Sequence, residues 1–502
     1  NINKTGYYLN NTLLADYEHH AGYSGLNTNG SALNQTLKNS RLDFSNEFNI
    51  MKIKGNRILE GYSYLNRIIN PENRLLQPGI NEAVFNQGQL YMQLVQTADI
   101  PTWFTNNYVS VKRAGNGITQ SYKAGFTLQS QSLVSGLSAV QTNGSIISAT
   151  NRSVNNLDWF KSKIYTEAVL DIPGEKLKLN VRLPVNLQRI HYTDSQYALN
   201  QLFNRLYFDP ALSGRYATSA EQYVSFNYSF RNEIGDINEA YRGDILTNYR
   251  TLNANNAALT ERKVQTAGLG YSYRKAIKML FWGLNAMYMH ADVNNIASSV
   301  ITNNFQRRII LPYANTMSTW TLAGSISKYV YQLRTTFSSG ASWQNSRLNQ
   351  LQNGVLLPYN TIINNITAGI ETKVNDKVYL SYKLYATRTT SRTGVANAGE
   401  PVIMQLQHQA SINYNPLDNL FLRLSGDNYF TRQSLQKDLN FSFADLSARY
   451  KLNKMKTDLE LNMLNVLDTR TYSAVYVTAN NYTSSTYTLP GRMLVAKVSF
   501  NF

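Results

Sequence analysis

Leu177-Lys178-Leu179-Asn180-Val181-Arg182-Leu183-Pro184-Val185-Asn186-Leu187-Gln188 places an apolar residue at every odd position and Lys, Asn, Arg, Pro or Gln between them. Side chains of an extended strand point alternately to opposite faces, so this segment has one dry face and one wet face. Val224, Phe226, Tyr228 and Phe230 alternate in the same way with Ser225, Asn227, Ser229 and Arg231, and Val378, Leu380, Tyr382, Leu384 and Ala386 alternate with partners that include Ser381, Lys383 and Thr387. Period two recurs along the chain, while helical periodicity is nearly absent.

A soluble sandwich would show the same alternation; the spacing of the connections discriminates further. Short turns read near Lys54 to Asn56, Arg113 to Gly117, Asp171 to Glu175, Thr218 to Glu221, Arg274 to Met279, Lys328 to Tyr331, Lys373 to Lys377, Asn415 to Asn419 and Lys451 to Lys456. Between them lie longer segments rich in Asn, Ser and Thr, among them Asn70 to Thr102, Ser135 to Asn156, Arg231 to Thr260 and Thr469 to Thr488, which read as loops. About nine hairpins, with Thr5 to His19 and Leu489 to Phe502 at the ends, give about 20 strands, and up to about 22 with one more hairpin; an even count with short turns on one rim and long loops on the other predicts a transmembrane antiparallel β-barrel. No linker or shift in composition divides residues 1–502, which read as one barrel domain.

Composition agrees with this reading. The 502 residues include 35 Tyr and no Cys, and 43% are hydrophobic. Mean hydropathy is -0.35, and nowhere do 18 apolar residues run together as a membrane-crossing helix requires. Aromatic residues suit pleated surfaces, and Asn and Ser suit turns. Without cysteine there is no disulfide framework and no thiolate metal site. A formal charge of +17 raises the question of nucleic acid, but Lys and Arg are scattered and form no basic stripe, so no nucleic-acid partner is expected. Cations at the rims of a barrel would instead meet lipid and lipopolysaccharide headgroups. Asn1-Ile2-Asn3-Lys4 lacks a secretory pattern, which reads as a mature chain or a fragment.

Tryptophan gives an independent check. Trp103, Trp159, Trp320 and Trp343 fall near strand ends beside long loops, and Trp282 follows a short turn. These positions predict two aromatic girdles at the membrane interfaces.

Chemistry is sparse. His19 and His20 are adjacent and point to opposite faces of a strand, and His191, His290 and His408 each stand alone near a strand end. No HExxH, GxSxG or phosphate-loop pattern occurs, so neither enzyme activity, nor a metal site, nor a cofactor is expected. Arg242-Gly243-Asp244 matches an adhesion tripeptide in a predicted loop, and Tyr91, Tyr241, Tyr249, Tyr476, Tyr482 and Tyr487 give the loops aromatic surface suited to sugars or peptides.

The C-terminal strand carries Leu494, Ala496, Val498, Phe500 and Phe502 on one face. A terminal aromatic on an alternating strand resembles the signal recognised by the barrel-assembly machinery, with Val498, Phe500 and Phe502 as its residues. Upstream, Asn465-Val466-Leu467-Asp468 followed by Tyr472 resembles the Asn-x-Leu/Phe-Asp/Asn motif before the last extracellular loop of TonB-dependent receptors, and Leu489-Pro490-Gly491-Arg492 resembles their Bacteroidota form. The resemblance marks Asn465, Leu467, Asp468 and Tyr472. It implies a multi-pass outer-membrane protein of a Gram-negative bacterium that imports a bulky nutrient such as a glycan, peptide or metal chelate. It further implies a plug domain, an inner-membrane energy-coupling complex and surface lipoproteins as partners. No plug is visible in this chain, because strand-like alternation begins by about Tyr8. The competing reading is a scaffold barrel in a multi-protein secretion or assembly complex.

Overall fold

A computed structural model describes the chain except for residues 1, 29–30, 116, 303–304, 395–399, 435–436, 479–480 and 501–502. Among the described residues, twenty staves form one continuous antiparallel wall: Tyr7–Thr28, Ser31–Lys54, Arg57–Ile69, Thr102–Ala114, Thr119–Val140, Val154–Pro173, Leu177–Asp194, the successive segments Leu199–Phe208 and Ala211–Ser219 of one interrupted stave, Gln222–Ile234, Glu261–Lys275, Leu280–Val293, Asn315–Val330, Thr335–Gln352, Val355–Lys373, Val378–Thr393, Val402–Leu417, Leu420–Gln433, Leu439–Leu452, Thr457–Leu464 and Met493–Phe500. Each stave pairs with the next in chain order. Ile2–Lys4 adds a short rung to Tyr7–Leu9, and among the described residues no ladder joins Met493–Phe500 to Tyr7–Thr28. The molecule is an all-β barrel wall of the size and even strand count that the alternation predicts.

All nine predicted short turns lie on one rim. Three of them are single 3-10 turns, Ala276–Lys278, Tyr331–Leu333 and Asn453–Met455, each followed by a left-handed residue: Met279 at φ 44, Arg334 at φ 50 and Lys456 at φ 47. A turn followed by one left-handed residue brings the next strand back in register.

Register then assigns the faces. Along Leu280–Val293, Trp282, Leu284, Ala286 and Tyr288 share a face with Leu269 and Tyr271 on one neighbour and with Trp320, Leu322, Gly324 and Ile326 on the other. Leu269, Leu284, Leu322 and Ile326 are all exposed, which defines the apolar outer face. The inner face of the same staves carries Gly268, Gly270, Asn285, Thr319, Thr321 and Ser325. Along Leu177–Asp194, Leu183, Val185 and Leu187 are exposed outside, while Asn186 and Gln188 are buried inside.

The long-connection rim departs from expectation. Asn70 to Thr102, Ser135 to Asn156, Arg231 to Thr260 and Thr469 to Thr488 are not irregular loops. They contain strands Glu72–Gln77, Gln93–Asp99, Ile146–Ser148, Ile245–Asn248 and Thr251–Asn255, the helical turn Glu82–Phe85, and the separate hairpin Thr471–Thr478 with Asn481–Thr488. Ser135–Val140 continues its stave, and Val154 is already paired with Gly136. Elsewhere this rim is tight, as at the Asn353-Gly354 turn between two long staves.

Candidate functional site: the lumen wall and its cover

Part of the long-connection rim folds into a cover with its own core. Leu33, Leu76, Phe85, Tyr91, Leu94, Leu137, Leu246, Leu252 and Phe305 form one buried cluster, in which Phe85 meets Phe305 edge-on at 5.4 Å. Strand Glu72–Gln77 adds to the upper part of Ser31–Lys54, and Thr251–Asn255 runs parallel to Phe305–Leu311. Gln96 locks two connections together: its Nε2 donates to the Leu246 carbonyl at 2.9 Å and its Oε1 accepts from the Leu246 N–H at 2.5 Å.

A second cluster anchors the cover to the wall: Leu133, Leu157, Trp159, Ile190 and Tyr192 from the staves meet Ile237, Ala240, Tyr241 and Leu259 from the connection 235–260. Trp159 is 3% exposed, lies on the inner face and stacks on Tyr192 at 5.5 Å. Its assignment to a lipid-facing girdle is therefore corrected: it shares its face with Lys161, Lys163 and Glu167, the charged side of its stave, while Phe160 and Ile164 point outward. The other four tryptophans are on the outer face. Trp282 lies 4.9 Å from Tyr271 near the short-turn rim, and Trp320 lies 4.6 Å from Tyr288 toward the other. Trp103 has the Arg67 guanidinium 5.1 Å from its ring centroid, and Trp343 is half-buried beside Leu322.

The adhesion-like tripeptide is internal to the cover. Asp244 is 2% exposed and accepts hydrogen bonds from Thr150 Oγ1 at 2.8 Å and Arg307 Nη2 at 3.1 Å. Gly243 donates its N–H to Asn155 Oδ1 at 2.6 Å, and a Cβ at Gly243 would meet the Val154 carbonyl and the Asn155 amide. The Arg242 carbonyl accepts from Arg152, and burial, with Arg152 nearby, lowers the pKa of its guanidinium. Burial also pushes the Tyr241 hydroxyl up to about 12. Arg242-Gly243-Asp244 is thus a packing element, with Gly243 and Asp244 buried and Arg242 half-buried, a role that depends on partners distant in sequence.

Below the cover the lumen wall changes character around its circumference. Between Arg57–Ile69 and Val154–Pro173 it is aromatic and charged: Tyr62 stacks on Tyr108 at 4.8 Å, Glu60 accepts from Tyr108 at 3.1 Å and from Ser110 at 2.9 Å, and Lys123 sits 4.6 Å above the Tyr108 ring. Across Asn315–Val330, Thr335–Gln352 and Val355–Lys373 the inward residues include Thr319, Thr321, Ser325, Ser338, Gly340, Ser342, Thr367 and Gly369, a low and hydroxylated surface.

The C-terminal motif forms a clasp. Asn465 and Asp468 both take left-handed backbone conformations, φ 51 and φ 54. Asn465 Nδ2 donates to the Thr469 carbonyl at 2.9 Å and the Pro490 carbonyl at 3.1 Å, and its Oδ1 accepts from the Thr469 N–H at 3.0 Å. Asp468 accepts from the Arg492 N–H at 2.9 Å and from Arg470 Nη2 at 3.1 Å, and these donors hold its carboxyl below the ordinary carboxylate range. Outgoing and returning chains are thereby pinned at the base of the last connection. Leu467 is exposed, whereas Tyr472 turns inward against Phe441 at 5.3 Å and Tyr429 at 5.8 Å. Val498 and Phe500 are exposed on the outer face; Phe502 lies outside the described residues.

No known family profile and no curated protein matches the chain. Among solved structures it is similar to the siderophore receptor PirA from Pseudomonas aeruginosa, at 8% identity and TM-score 0.43 over 98% of this chain and 80% of that one. It is also similar to the copper transporter OprC, at 10% identity and TM-score 0.47 over 99% and 80%. A third is the ferric citrate transporter FecA in the unliganded form, at 10% identity and TM-score 0.46 over 97% and 74%.

Proposed function

We propose that this chain is the wall of an outer-membrane importer of the TonB-dependent receptor type, with its long-connection rim at the cell surface. One observation carries the reading: a wall of twenty staves has a polar lumen, and a cover with its own core is built over only part of one rim. Barrels of this size enclose an aqueous channel or a plugged lumen, wide enough for a bulky solute. The clasp built from Asn465 and Asp468, on the residues that resemble the receptor motif, supports the same assignment.

In this reading a globular plug seats on the hydroxylated part of the wall, where short inward side chains such as Thr321, Ser325, Ser338, Gly340 and Ser342 predominate and leave room for a rigid body. The inner-membrane energy-coupling complex acts on that plug. A glycan, peptide or metal chelate is captured at the cover, where Tyr249 and its neighbours offer aromatic surface, and surface lipoproteins assist capture. Val498, Phe500 and Phe502 present the last strand to the barrel-assembly machinery, and Trp103, Trp282 and Trp320 sit at the interfaces, whereas Trp343, level with Leu322 in mid-stave, faces the hydrocarbon between them. The barrel catalyses no reaction.

Single cysteines at Asn143, in the connection above Val140, and at Asn375, in a short turn, test orientation in intact cells with an impermeant thiol reagent, the chain having no cysteine of its own. Labelling at Asn143 alone is expected; labelling at Asn375 alone inverts the topology. Transport is tested by uptake of solutes too large for general porins in a deletion strain. Loss of one protonophore-sensitive uptake activity supports the importer. Unchanged uptake, together with stable co-purification in a complex of other barrels, identifies a scaffold instead.

A further inference from the structure

Two features of the outer wall lie one above the other on the same staves. The lower is an apolar groove of about 830 Å³ across Glu261–Lys275, Leu280–Val293, Asn315–Val330, Thr335–Gln352 and Val355–Lys373. Its floor is made by Ala286, Gly324 and Ala341, and its sides by Leu284, Leu322 and Trp343. These residues share the outer face by register. The groove exists because the floor residues are small: a Cβ at Gly324 would already come within 2.9 Å of Leu284 Cδ2.

Four residues further along each stave, toward the long-connection rim, a polar notch of about 500 Å³ opens on the same face. Ala286 is succeeded by His290, Leu322 by Ser318, Trp343 by Arg347, and Asn364 by Asn360. At about 3.4 Å per residue the notch lies roughly 14 Å up the wall from the groove. Between them stands the Tyr288 and Trp320 pair, at the level where aromatic side chains mark a membrane interface. Arg347, Asn360 and Arg392 form one cross-strand row, Arg347 opposite Asn360 and Asn360 opposite Arg392. Two guanidinium groups two staves apart therefore flank an amide. Arg347 is exposed and has no carboxylate partner among the described residues. Arg392 shares its charge with Glu400 at 2.9 Å, and His290 lies 3.3 Å from Asp292.

We propose that this outer-wall site holds one phosphorylated glycolipid of the surrounding leaflet, its phosphate on Arg347 and Arg392 and an acyl chain in the groove over Gly324 and Ala341. The occupant is set by the combination: guanidinium pairs and an amide suit a phosphate, an apolar trough directly beneath suits a hydrocarbon chain, and the vertical order matches a lipid standing in the leaflet. A soluble anion would use only the notch, and a bulk acyl chain only the groove. The site rests on the reading that this rim faces the cell surface.

The test is native mass spectrometry of the intact chain extracted in mild detergent from outer membranes, titrated with bis-phosphorylated lipid A. The wild type is expected to retain one lipid A. The R347Q/R392Q double variant should bind it on the order of tenfold more weakly or worse, because two charge-assisted hydrogen bonds are lost. Ala341→Leu, which fills the groove and leaves the charges in place, should also weaken retention, while Arg189→Gln on the outer face of another stave should not. Inorganic phosphate at millimolar concentration should fail to displace the lipid. Equal retention by the wild type and both site variants overturns the proposal, as does displacement by inorganic phosphate, which identifies an anion site alone. If the chain does not fractionate with outer membranes at all, the orientation reading has failed; if it does and the variants retain lipid, only the lipid site has.

Discussion

The wall between Arg57 and Asp194 and the wall between Asn315 and Lys373 are built from the same alternating staves, yet they treat the lumen differently. In the first, inward aromatic and charged residues such as Tyr62, Tyr108, Lys161 and Glu167 line the interior, and the connections above them fold over it. The second presents Thr321, Ser325, Ser338 and Ser342 inward, and at Gln352–Val355 its stave pair closes with a tight turn. A β-barrel needs its apolar face only on the outside, so the inner face is free to specialise. Here one sector lies beneath a folded cover, and the other carries mainly short inward side chains.

The largest expected effect tests the outer face common to both sectors. Leu284 lies between the Trp282 and Tyr288 rows and is 59% exposed outward, whereas its neighbour Asn285 points inward. Leu284→Arg should cost about 2 to 4 kcal/mol in reversible unfolding from lipid vesicles, and Asn285→Arg close to nothing. Equal costs would mean that the two faces are not distinguished by solvent. By contrast Asn186, also inward, is 3% exposed and donates to Asp209 Oδ2 at 3.0 Å, so inward polarity in the covered sector does not imply tolerance.

Removal of the cover's buried carboxylate ranks next. Asp244→Ala leaves Arg307 and Thr150 without their acceptor and should cost the cover about 2 to 3 kcal/mol of local stability. Hydrogen exchange should accelerate in residues 235–260 and stay unchanged in the staves from Asn315 onward; uniform acceleration would show that cover and wall unfold as one unit.

Acid should loosen the clasp at the last connection. The Asp468 carboxyl is held below its ordinary value by the Arg492 N–H and Arg470. A depressed pKa contributes stability that is present above the unfolded value, about 3.9, and lost as pH falls through the lower folded value. Protease cleavage between Thr469 and Thr488 should therefore rise only below about pH 4, and Asp468→Asn should remove that dependence. A cleavage profile that is flat in both proteins would detach Asp468 from the clasp.

The smallest effect concerns the short-turn rim. Lys456 holds φ 47, a conformation that costs a residue with a Cβ about 1 kcal/mol or more. Lys456→Gly should stabilise the barrel by roughly 0.5 to 1 kcal/mol after the entropy of glycine is deducted; a loss of stability would show that the lysine makes contacts worth more than the strain.

The staves and all nine short turns were legible because their signal is local: period two within a strand, turn residues within five positions. The cover was not, because Leu76, Phe85, Leu94, Leu137, Leu246 and Phe305 meet only after distant connections fold together. Polar residues between such anchors read as solvated loop. Trp159 is different, since its facing was available in the sequence: it alternates in phase with Lys161, Lys163 and Glu167, and weighing that phase above proximity to a loop would have turned it inward. Asn465 and Asp468 were recognisable as residues suited to a strand exit, but their shared grip on the chain returning through Pro490 and Arg492 depends on a hairpin between.

The central claim is that alternate residues of one stave meet two different solvents, and nitroxide accessibility along Leu280–Val293 measures it directly. Single cysteines from Phe281 to His290, spin-labelled in reconstituted vesicles, should show oxygen accessibility peaking at positions 282, 284, 286 and 288, with a water-soluble nickel chelate peaking out of phase at 283, 285, 287 and 289. Coincident profiles, or chelate access at Leu284 equal to that at Asn285, would contradict a wall with lipid on one face and a water-filled lumen on the other.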